Sequence, residues 1–307
     1  MTGDIFYWVL NVSILGAVAG LIILLLRRIR ALPRFGVYLL WVLPFLRLWM
    51  PVGIANQYSL LSFISRYTTK TIVVWEAVPG SPEFSMTNSI QAAESYFPIV
   101  YKTNLLEDIF HVAGTVWAIV AVAAVLCSAL LYIFTKAALR DAEHIKDKIY
   151  RSDKVLSPAV FGIVKPKIIL PANIEETDLE YILKHERIHI RRRDNLWRVV
   201  AVVTACVHWF NPFAWLFLKN FFSDMELACD AGVLKTLEDN DKKDYAAALL
   251  ACSTGKTYYA SAFGGAKTKL RIENILSYKK LTLFSALCFS ILFIAVAFTV
   301  ITNAVGG

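Results

Sequence analysis

Long apolar runs separated by polar stretches organise this chain. Three of them, Ile5 to Leu26, Ile109 to Phe134 and Leu281 to Ile301, are long enough to cross a hydrocarbon layer of about 30 Å as helices. The first run is preceded by an acidic residue instead of a basic stretch, and it is longer than the core of a cleaved signal peptide. We therefore expect three permanent membrane helices.

A fourth apolar run, Gly36 to Ala55, is weaker than the other three. It contains Pro44, Arg47 and Pro51, which a membrane helix accommodates only where neighbouring segments satisfy the freed carbonyl and the buried charge. We count this run as the second of four spans. Arg47 is then expected to contact the domain that follows the third span or to reach the membrane interface.

Composition and charge fit a multi-pass protein of the cell membrane. Hydrophobic residues make up 57% of the 307 residues, and the mean hydropathy is +0.53. Basic residues crowd the loop from Arg27 to Arg34 and the segment from Lys136 to Lys280, whereas Asn56 to Asp108 holds only three. Because cytoplasmic loops carry an excess of Lys and Arg, both basic segments are expected to be cytoplasmic and both termini extracytoplasmic.

These assignments divide the chain into five parts. They are residues 1–56, the first two transmembrane helices with their basic cytoplasmic loop; 57–108, an extracytoplasmic loop; 109–135, the third transmembrane helix; 136–280, a cytoplasmic domain; and 281–302, the fourth transmembrane helix. The net charge of +8 follows from the cytoplasmic bias and from contact with anionic lipid, so no direct nucleic-acid binding is expected. The five cysteines show no CxxC spacing, and none lies in the outside loop, which argues against disulfides.

The first part of the 136–280 segment mixes helical and strand patterns. The charged stretch Ala137 to Ile149 is typical of a helix. Two runs rich in β-branched residues, Ala159 to Val164 and Lys167 to Leu170, are separated by Lys165-Pro166 and predict a short two-stranded β-ribbon. An exposed edge of this ribbon is a candidate for holding an extended substrate by main-chain pairing, and a purely structural hairpin is the alternative.

The remainder of the segment reads as helices joined by short breaks. One helix begins near Glu175, and the apolar stretch from Leu196 to Phe222 is interrupted at Asn211-Pro212, which predicts two shorter helices. A further helix is expected from Met225 to Leu237. Ser253 to Lys269 is loop-like because it is rich in Gly, Ser, Thr and Lys.

His185-Glu186-Arg187-Ile188-His189 is an HExxH pattern on the predicted helix. The four-residue spacing places both imidazoles on one helix face, where they can bind one zinc ion. Glu186 then lies where a carboxylate can take a proton from the water that attacks a peptide carbonyl. The alternative is a surface helix that happens to carry two histidines.

A catalytic zinc needs a third protein ligand, and Glu226 is the best downstream candidate. Asp230 shares its helix face and is expected to accept a hydrogen bond from a ligand imidazole. An exposed acidic helix face is the alternative reading. His208 and Cys229 are weaker candidate ligands, since a packed histidine and a small buried thiol are commoner. Asp194, on the turn after the motif, is a candidate partner of His189 or Arg191, and a solvated charge is the alternative.

The chain resembles the BlaR/MecR-type membrane zinc metallopeptidases, antirepressors that report β-lactam exposure in Gram-positive bacteria. The motifs that carry the resemblance are Arg47-Leu48 near Pro51, Ser157-Pro158, Phe161-Gly162, Pro166-Lys-Ile-Ile-Leu-Pro171, His185-Glu-x-x-His189, Trp209-Phe-Asn-Pro212 and Glu226-x-x-Cys-Asp230. The resemblance implies that His185, His189 and Glu226 bind Zn²⁺ and that Glu186 is the catalytic base. It also implies four spans, a dimeric DNA-binding repressor as substrate, and self-cleavage on signalling.

The expected protein is therefore a mainly α membrane protein with four transmembrane helices. A cytoplasmic, zincin-like metalloprotease domain with a glutamate third ligand and a small β-ribbon lies between spans three and four. The antibiotic sensors carry a C-terminal penicillin-binding domain after the last span, whereas this sequence continues for only about six residues there. We expect self-cleavage within Ser253 to Lys269 because that loop follows the zinc site closely.

Three functions remain open at this point. The leading hypothesis is a zinc endopeptidase that cleaves a cytoplasmic repressor or itself. A non-catalytic signalling or scaffold protein with a structural zinc site is the alternative, although such sites usually have four protein ligands. A housekeeping membrane protease of the heat-shock type shares the ligands but should lack the β-ribbon and the Asn211-Pro212 break. The sequence leaves the oligomeric state open, a homodimer included.

Overall fold

A computed structural model describes residues 2–29, 31–50, 59, 104–172, 174, 176–238, 240–253, 268–280 and 282–302. The helices in these residues are α1 (Thr2–Leu26), α2 (Arg34–Leu40), α3 (Val42–Trp49), α4 (Asn104–Ala138), α5 (Glu176–Arg192), α6 (Asp194–Val207), α7 (Pro212–Leu234), α8 (Asp241–Ser253), α9 (Thr268–Leu276) and α10 (Leu283–Ile301). The strands are β1 (Glu143–Lys146), β2 (Ile149–Ser152), β3 (Ala159–Phe161) and β4 (Lys167–Pro171). The chain is thus mainly helical, with one small sheet.

Three helices in the described residues are long and apolar enough to cross a membrane, namely Thr2–Leu26, Asp108–Ala138 and Leu283–Ile301. In its most apolar stretch α1 is 56% buried, whereas α4 and α10 are each 6% buried. The backbones of α1 and α4 approach closely at Gly114, where an added Cβ would lie 2.5 Å from the carbonyl oxygen of Thr2. Small residues permit such helix contacts in lipid. Helix α1 is therefore a central helix, and α4 and α10 present apolar side chains outward.

The run predicted as the second span is divided between α2 and α3. The interruption falls at Trp41, because Pro44 lacks the N–H that would bond the carbonyl of Leu40. Arg47 is 3% exposed, and its guanidinium donates to the carbonyl of Ile301 at the end of α10. Arg47 thus has a partner inside the protein, but that partner lies on α10 and not in the segment 136–280, where the contact was expected. The span itself stays a prediction, since residues 51–58 lie outside the described residues.

The sheet has the order β1-β2-β4-β3. Strands β3 and β4 pair antiparallel, which confirms the predicted ribbon, and β2 pairs parallel with β4. The helix predicted for Ala137 to Ile149 is wrong, because α4 ends at Ala138 and the strands β1 and β2 follow as an antiparallel hairpin. Asp147 has a φ of 52° in the turn, a left-handed conformation that Asp tolerates better than most residues.

Helices α5 to α7 position the candidate site. Arg193 has a φ of 55° and separates α5 from α6 at a sharp corner. The predicted break before Pro212 is confirmed: Asn211 accepts a hydrogen bond from the N–H of Phe213, and Pro212 occupies the first turn. Helix α7 then runs without interruption through Glu226 to Leu234. The prediction of a separate helix starting at Met225 is therefore wrong.

Two apolar clusters connect these helices to the rest of the chain. One cluster joins membrane helices to α7 through residues such as Ile23, Trp41, Phe217 and Val300. The other lies under the candidate site and joins α5, α7, α8 and α9; its members include Ile188, Cys229, Leu234, Tyr245 and Ile275. Burial of this apolar surface fixes the crossing of α5 and α7.

Candidate metal centre

His185 and His189 lie one turn apart on α5, and their imidazoles converge. The two Nε2 atoms are 3.1 Å apart, and the residues are 7% and 5% exposed. The other three histidines, His111, His144 and His208, are not part of this group. The four-residue spacing thus produces the paired arrangement expected of it.

Helix α7 brings Glu226 to this pair. Its carboxylate oxygens lie 3.5 Å from Nε2 of His185 and 3.7 Å from Nε2 of His189. Close packing of α7 on α5 depends on Gly232, since a Cβ there would lie 3.1 Å from the side chain of Ile188. Two imidazole nitrogens and a carboxylate therefore face one small buried space.

The outer nitrogen of His189 has a carboxylate partner. Nδ1 of His189 lies 2.6 Å from Oδ2 of Asp194, the first residue of α6. Asp194 is 0% exposed and also accepts hydrogen bonds from Tyr38 of α2 and from the guanidinium of Arg192. The predicted partnership of Asp194 with His189 is confirmed. A carboxylate on Nδ1 holds the proton there and leaves Nε2 free as a ligand atom.

The outer nitrogen of His185, Nδ1, faces a hydrogen-bonded group of three residues, Tyr245, Asp230 and Arg271. Nδ1 lies 2.9 Å from the hydroxyl of Tyr245 and 3.2 Å from Oδ1 of Asp230. The Tyr245 hydroxyl donates to Asp230 at 2.6 Å, and Arg271 donates two hydrogen bonds to the same carboxylate, at 2.7 and 2.8 Å. Asp230 therefore lies where an acceptor for His185 was expected. Its two further partners, Tyr245 and Arg271, were not predicted from the sequence.

Two arginines approach Glu226. The guanidinium of Arg198 on α6 donates to Oε1 at 2.7 Å, and Nη1 of Arg271 lies 3.6 Å from Oε2. Neither arginine was singled out from the sequence. Their distance from the motif leaves no local spacing signal that could have identified them.

Cys229 is the other possible ligand atom in this space. Its Sγ and ring nitrogens of His185 and His189 all lie within 4.8 Å of one another. The residue is 0% exposed, and its thiol donates to the carbonyl of His185 at 3.3 Å. His208, by contrast, is buried at the end of α6 with no bonded partner for its Nδ1 among the described residues.

Glu186 is 7% exposed, although glutamate is rarely buried without a role or a partner. Its charge acts on the thiol of Cys252 on α8. Burial raises the pKa of that thiol to about 11, with the carboxylates of Asp178 and Glu186 adding to the effect.

A cleft of about 330 Å³ adjoins His189. Its walls come from the β3–β4 connection, from α5 and from the start of α6, and Val164 at its rim is 88% exposed. Asn195 fixes this wall by donating to the carbonyls of Val160 and Gly162, at 3.0 and 2.9 Å. Strand β3 is an edge of the sheet, so its outer main-chain groups face away from β4.

The charged groups of the site shift one another's pKa values. Burial lowers the pKa of His185 and His189, but the negative groups around them raise it more, so that both values lie well above normal. Burial raises the pKa of Glu226, yet the charge of His189 and hydrogen bonds from both imidazoles hold it well below its usual range. The histidines and the carboxylate thus stabilise one another's charged forms.

This donor set fits a divalent transition metal. Imidazole nitrogens and a carboxylate are typical zinc ligands, and both outer nitrogens have acceptors that orient the rings. A metal would replace the protons that hold His185, His189 and Glu226 together in its absence. The arrangement can therefore hold an ion beside an open cleft.

The fold and this site define a helical membrane protein with a metallopeptidase-type centre. The chain belongs to the BlaR1 peptidase M56 family, whose model matches residues 7–275. It is similar to the regulatory protein BlaR1 of Bacillus licheniformis, with 38% identity over 98 residues, or 31% of this chain and 16% of that protein. It is also similar to the methicillin resistance mecR1 protein of Staphylococcus aureus, with 34% identity over 112 residues, or 35% and 19%.

A longer alignment joins the chain to the regulatory protein BlaR1 of Staphylococcus aureus, with 22% identity over 218 residues, or 61% of this chain. The aligned parts cover between 16% and 37% of the length of these relatives. The family and the three candidate membrane helices together support a multi-pass membrane protein of a peptidase family.

Proposed function

We propose that the protein is a membrane zinc endopeptidase in which His185, His189 and Glu226 bind the metal. The observation that carries this proposal is the convergence of two Nε2 atoms and a carboxylate, with the outer nitrogens held by Asp194 and Asp230. Zinc supplies Lewis-acid activation of the attacking water and of the peptide carbonyl. The open cleft beside His189 is the entry for substrate.

In this proposal the general base is Glu186. It takes a proton from the water that attacks the peptide carbonyl and gives a proton to the departing amine, so the carboxylate is regenerated at the end of each turnover. Edge strand β3 holds the substrate extended by main-chain hydrogen bonds, and the cleft takes one of its side chains.

The names of the relatives support a proposal for the substrate class. Those relatives are named as regulatory and methicillin resistance proteins, and we propose that this chain acts on a cytoplasmic DNA-binding repressor, on itself, or on both. Four spans, a cytoplasmic site and extracytoplasmic termini complete the proposed topology. Arg27, in the basic loop after the first span, pairs with Asp224 on α7, which supports placing that loop and the site on one side of the membrane.

The direct test is cleavage of a repressor encoded next to this gene. Wild-type protein in detergent is incubated with the repressor, and the fragments are compared with those from a Glu186→Ala variant. We expect site-specific fragments with the wild type alone. An intact repressor in both reactions, with zinc bound in both, would contradict the proposal for this substrate.

Self-cleavage is tested on the enzyme itself. The proposed cut lies within Ser253 to Lys269, most of which, residues 254–267, is outside the described residues. Intact-mass spectrometry should find two fragments in activated wild type and one full-length chain in the Glu186→Ala variant. Equal intact masses in the two samples would remove self-cleavage from the proposal.

One observation favours a second function, a non-catalytic signalling protein with a structural zinc site. Cys229 lies beside the histidine pair, and with Glu226 it would give four protein donors, the closed set that is typical of structural zinc. The two functions differ in whether Cys229 binds the metal and in whether Glu186 is needed for cleavage.

A further inference from the structure

The first histidine of the HExxH motif, His185, is held by hydrogen bonds that come from two helices outside the HExxH and Glu226 motifs. Tyr245 comes from α8 and Arg271 from α9. Both contact Asp230, which is 1% exposed, and both come within 3.5 Å of the His185 ring. Neither residue has a role in the function proposed above.

The direction of these hydrogen bonds determines which nitrogen of His185 carries a proton. The Tyr245 hydroxyl donates to Oδ1 of Asp230 at 2.6 Å, so its oxygen is free to accept from Nδ1 of His185 at 2.9 Å. The Asp230 carboxylate, 3.2 Å from Nδ1, is also an acceptor. Nη2 of Arg271, a donor, lies farther from the ring, at 3.5 Å from Nδ1 and 3.4 Å from Nε2. Because the two acceptors are closer to Nδ1, the proton of the neutral ring stays on Nδ1, and the Nε2 lone pair faces His189 and Glu226.

Arg271 holds the carboxylate itself. Its Nε donates to Oδ2 of Asp230 at 2.8 Å and its Nη2 to Oδ1 at 2.7 Å, a two-point contact that fixes the carboxylate plane. The third nitrogen, Nη1, lies 3.6 Å from Oε2 of Glu226. One guanidinium thus touches both the partner of His185 and a proposed ligand, and it neutralises a carboxylate that would otherwise be buried without a counter-charge.

We propose that Tyr245 and Arg271 are positioning residues of the metal centre: they act through Asp230 to set the orientation and proton position of His185. This inference rests on the proposed metal site. Its physical basis is that partners of the outer ring nitrogen typically change metal affinity by 10- to 100-fold when they are removed.

The test measures zinc affinity in the full-length chain on a Glu186→Ala background, so that no self-cleavage occurs. Zinc is titrated against a chromogenic chelator in Tyr245→Phe and Arg271→Gln variants. We expect each to bind zinc about 10- to 100-fold more weakly than the background protein. An Arg271→Lys variant restores the charge without the two-point contact and should recover only part of the loss.

Matched controls come from the same region. Tyr278→Phe removes a buried hydroxyl that has no hydrogen-bond partner among the described residues, and its ring packs on the same apolar cluster as Tyr245. Lys269→Gln removes a positive charge from α9 at an 88% exposed side chain. Both controls should bind zinc as tightly as the background protein.

A second measurement separates positioning from general stability. Thermal unfolding is recorded without metal, and the visible absorption of the Co²⁺-loaded protein reports the geometry around the ion. We expect Tyr245→Phe to keep the metal-free melting temperature within a few degrees and to change the Co²⁺ spectrum. If its zinc affinity stays within twofold of the background, or if only its metal-free stability falls, the inference is overturned.

A His185→Ala variant distinguishes this failure from failure of the proposed function. If His185→Ala loses zinc while Tyr245→Phe and Arg271→Gln retain it, the assignment of the metal site is supported and only the positioning roles are refuted. If His185→Ala itself binds zinc normally, the metal site as assigned is wrong and the positioning roles fall with it.

Discussion

Arg27, in the loop after α1, donates two hydrogen bonds to Asp224 of α7, at 3.0 and 2.8 Å. Asp224 also accepts from the indole N–H of Trp41 at 2.8 Å, and Arg27 donates to the side chain of Asn220. Asp224 lies two residues before Glu226 on the same helix. The group therefore ties the end of the first membrane helix to the turn that presents the proposed third ligand.

The expected coupling free energy between Arg27 and Asp224 depends on how exposed the two side chains are. The Asp224 side chain is 3% exposed and the Arg27 side chain 23%. Breaking a fully buried ion pair costs about 3–5 kcal/mol, whereas an exposed pair contributes about 0–1 kcal/mol, so we expect a coupling of about 2 kcal/mol for this partly exposed one. For a protein of this size that corresponds to about 4 °C in melting temperature.

A double-mutant cycle measures this coupling. Arg27→Gln, Asp224→Asn and the double variant are compared by thermal unfolding in detergent. Each single change leaves the other residue without its ion-pair partner, so the double variant should lose less stability than the two single losses added together. The exposed pair Lys154 and Asp141, 3.3 Å apart, is the control and should show no coupling. Purely additive losses at Arg27 and Asp224 would refute the reasoning.

Three further predictions concern the metal. Glu226→Gln should weaken zinc binding by 10-fold or more in chelator competition, and unchanged affinity would exclude Glu226 as a ligand. Co²⁺-loaded wild type should lack a thiolate charge-transfer band, and Cys229→Ser should leave its spectrum unchanged; a band that disappears in Cys229→Ser would favour the closed structural site. The third concerns pH. The pKa values of His185 and His189 are raised above 6.5, so their protonated forms stabilise the metal-free fold. This stabilisation is fully present below pH 6.5 and is lost as pH rises through the raised pKa values. Zinc requires neutral imidazoles, so the zinc-induced rise in melting temperature should increase over that window, and thermal scans with and without zinc check it.

The parts of the site that sequence predicted are those set by local geometry. His185 and His189 share a face because four residues make about one helical turn, whatever the rest of the fold does. Glu226 could be chosen by residue type and by its spacing to Asp230. Its actual approach to the histidines depends on α7 crossing α5 at Gly232, a tertiary contact that no local pattern encodes.

Local sequence patterns could not identify Tyr245 and Arg271 as residues of the site. Each lies on its own helix, and neither has a spacing relation to the HExxH motif. Their common target, Asp230, is recognisable in the sequence, but the packing that brings α8 and α9 onto α7 is formed by apolar contacts among distant segments. Polar partners recruited by tertiary packing leave no signature in a single sequence.

The error at Ala137 to Ile149 has a related cause. The charged composition of this stretch is compatible with a helix, and the competing hairpin depends on two features beyond composition. Asp147 adopts a left-handed turn, and β2 gains a second partner in β4, whose register pairs Ile149 with Ile168. Because strand pairing is a long-range interaction, it overrides a weak local preference for helix.

The hydropathy pattern predicts that residues 136–280 form a separate domain. Contacts between this segment and the first 41 residues show that the two parts are packed together. The carboxylate that orients His189 accepts a hydrogen bond from Tyr38 on α2, and α7 shares an apolar cluster with α1 through Phe217 and Ile23. Cutting the chain at residue 136 would remove Tyr38 and expose the apolar face of α7 to water. Because Asp194 and Asp224 each have a partner in the first 41 residues, the alignment of the proposed ligands depends on the membrane helices as well as on the segment that contains them.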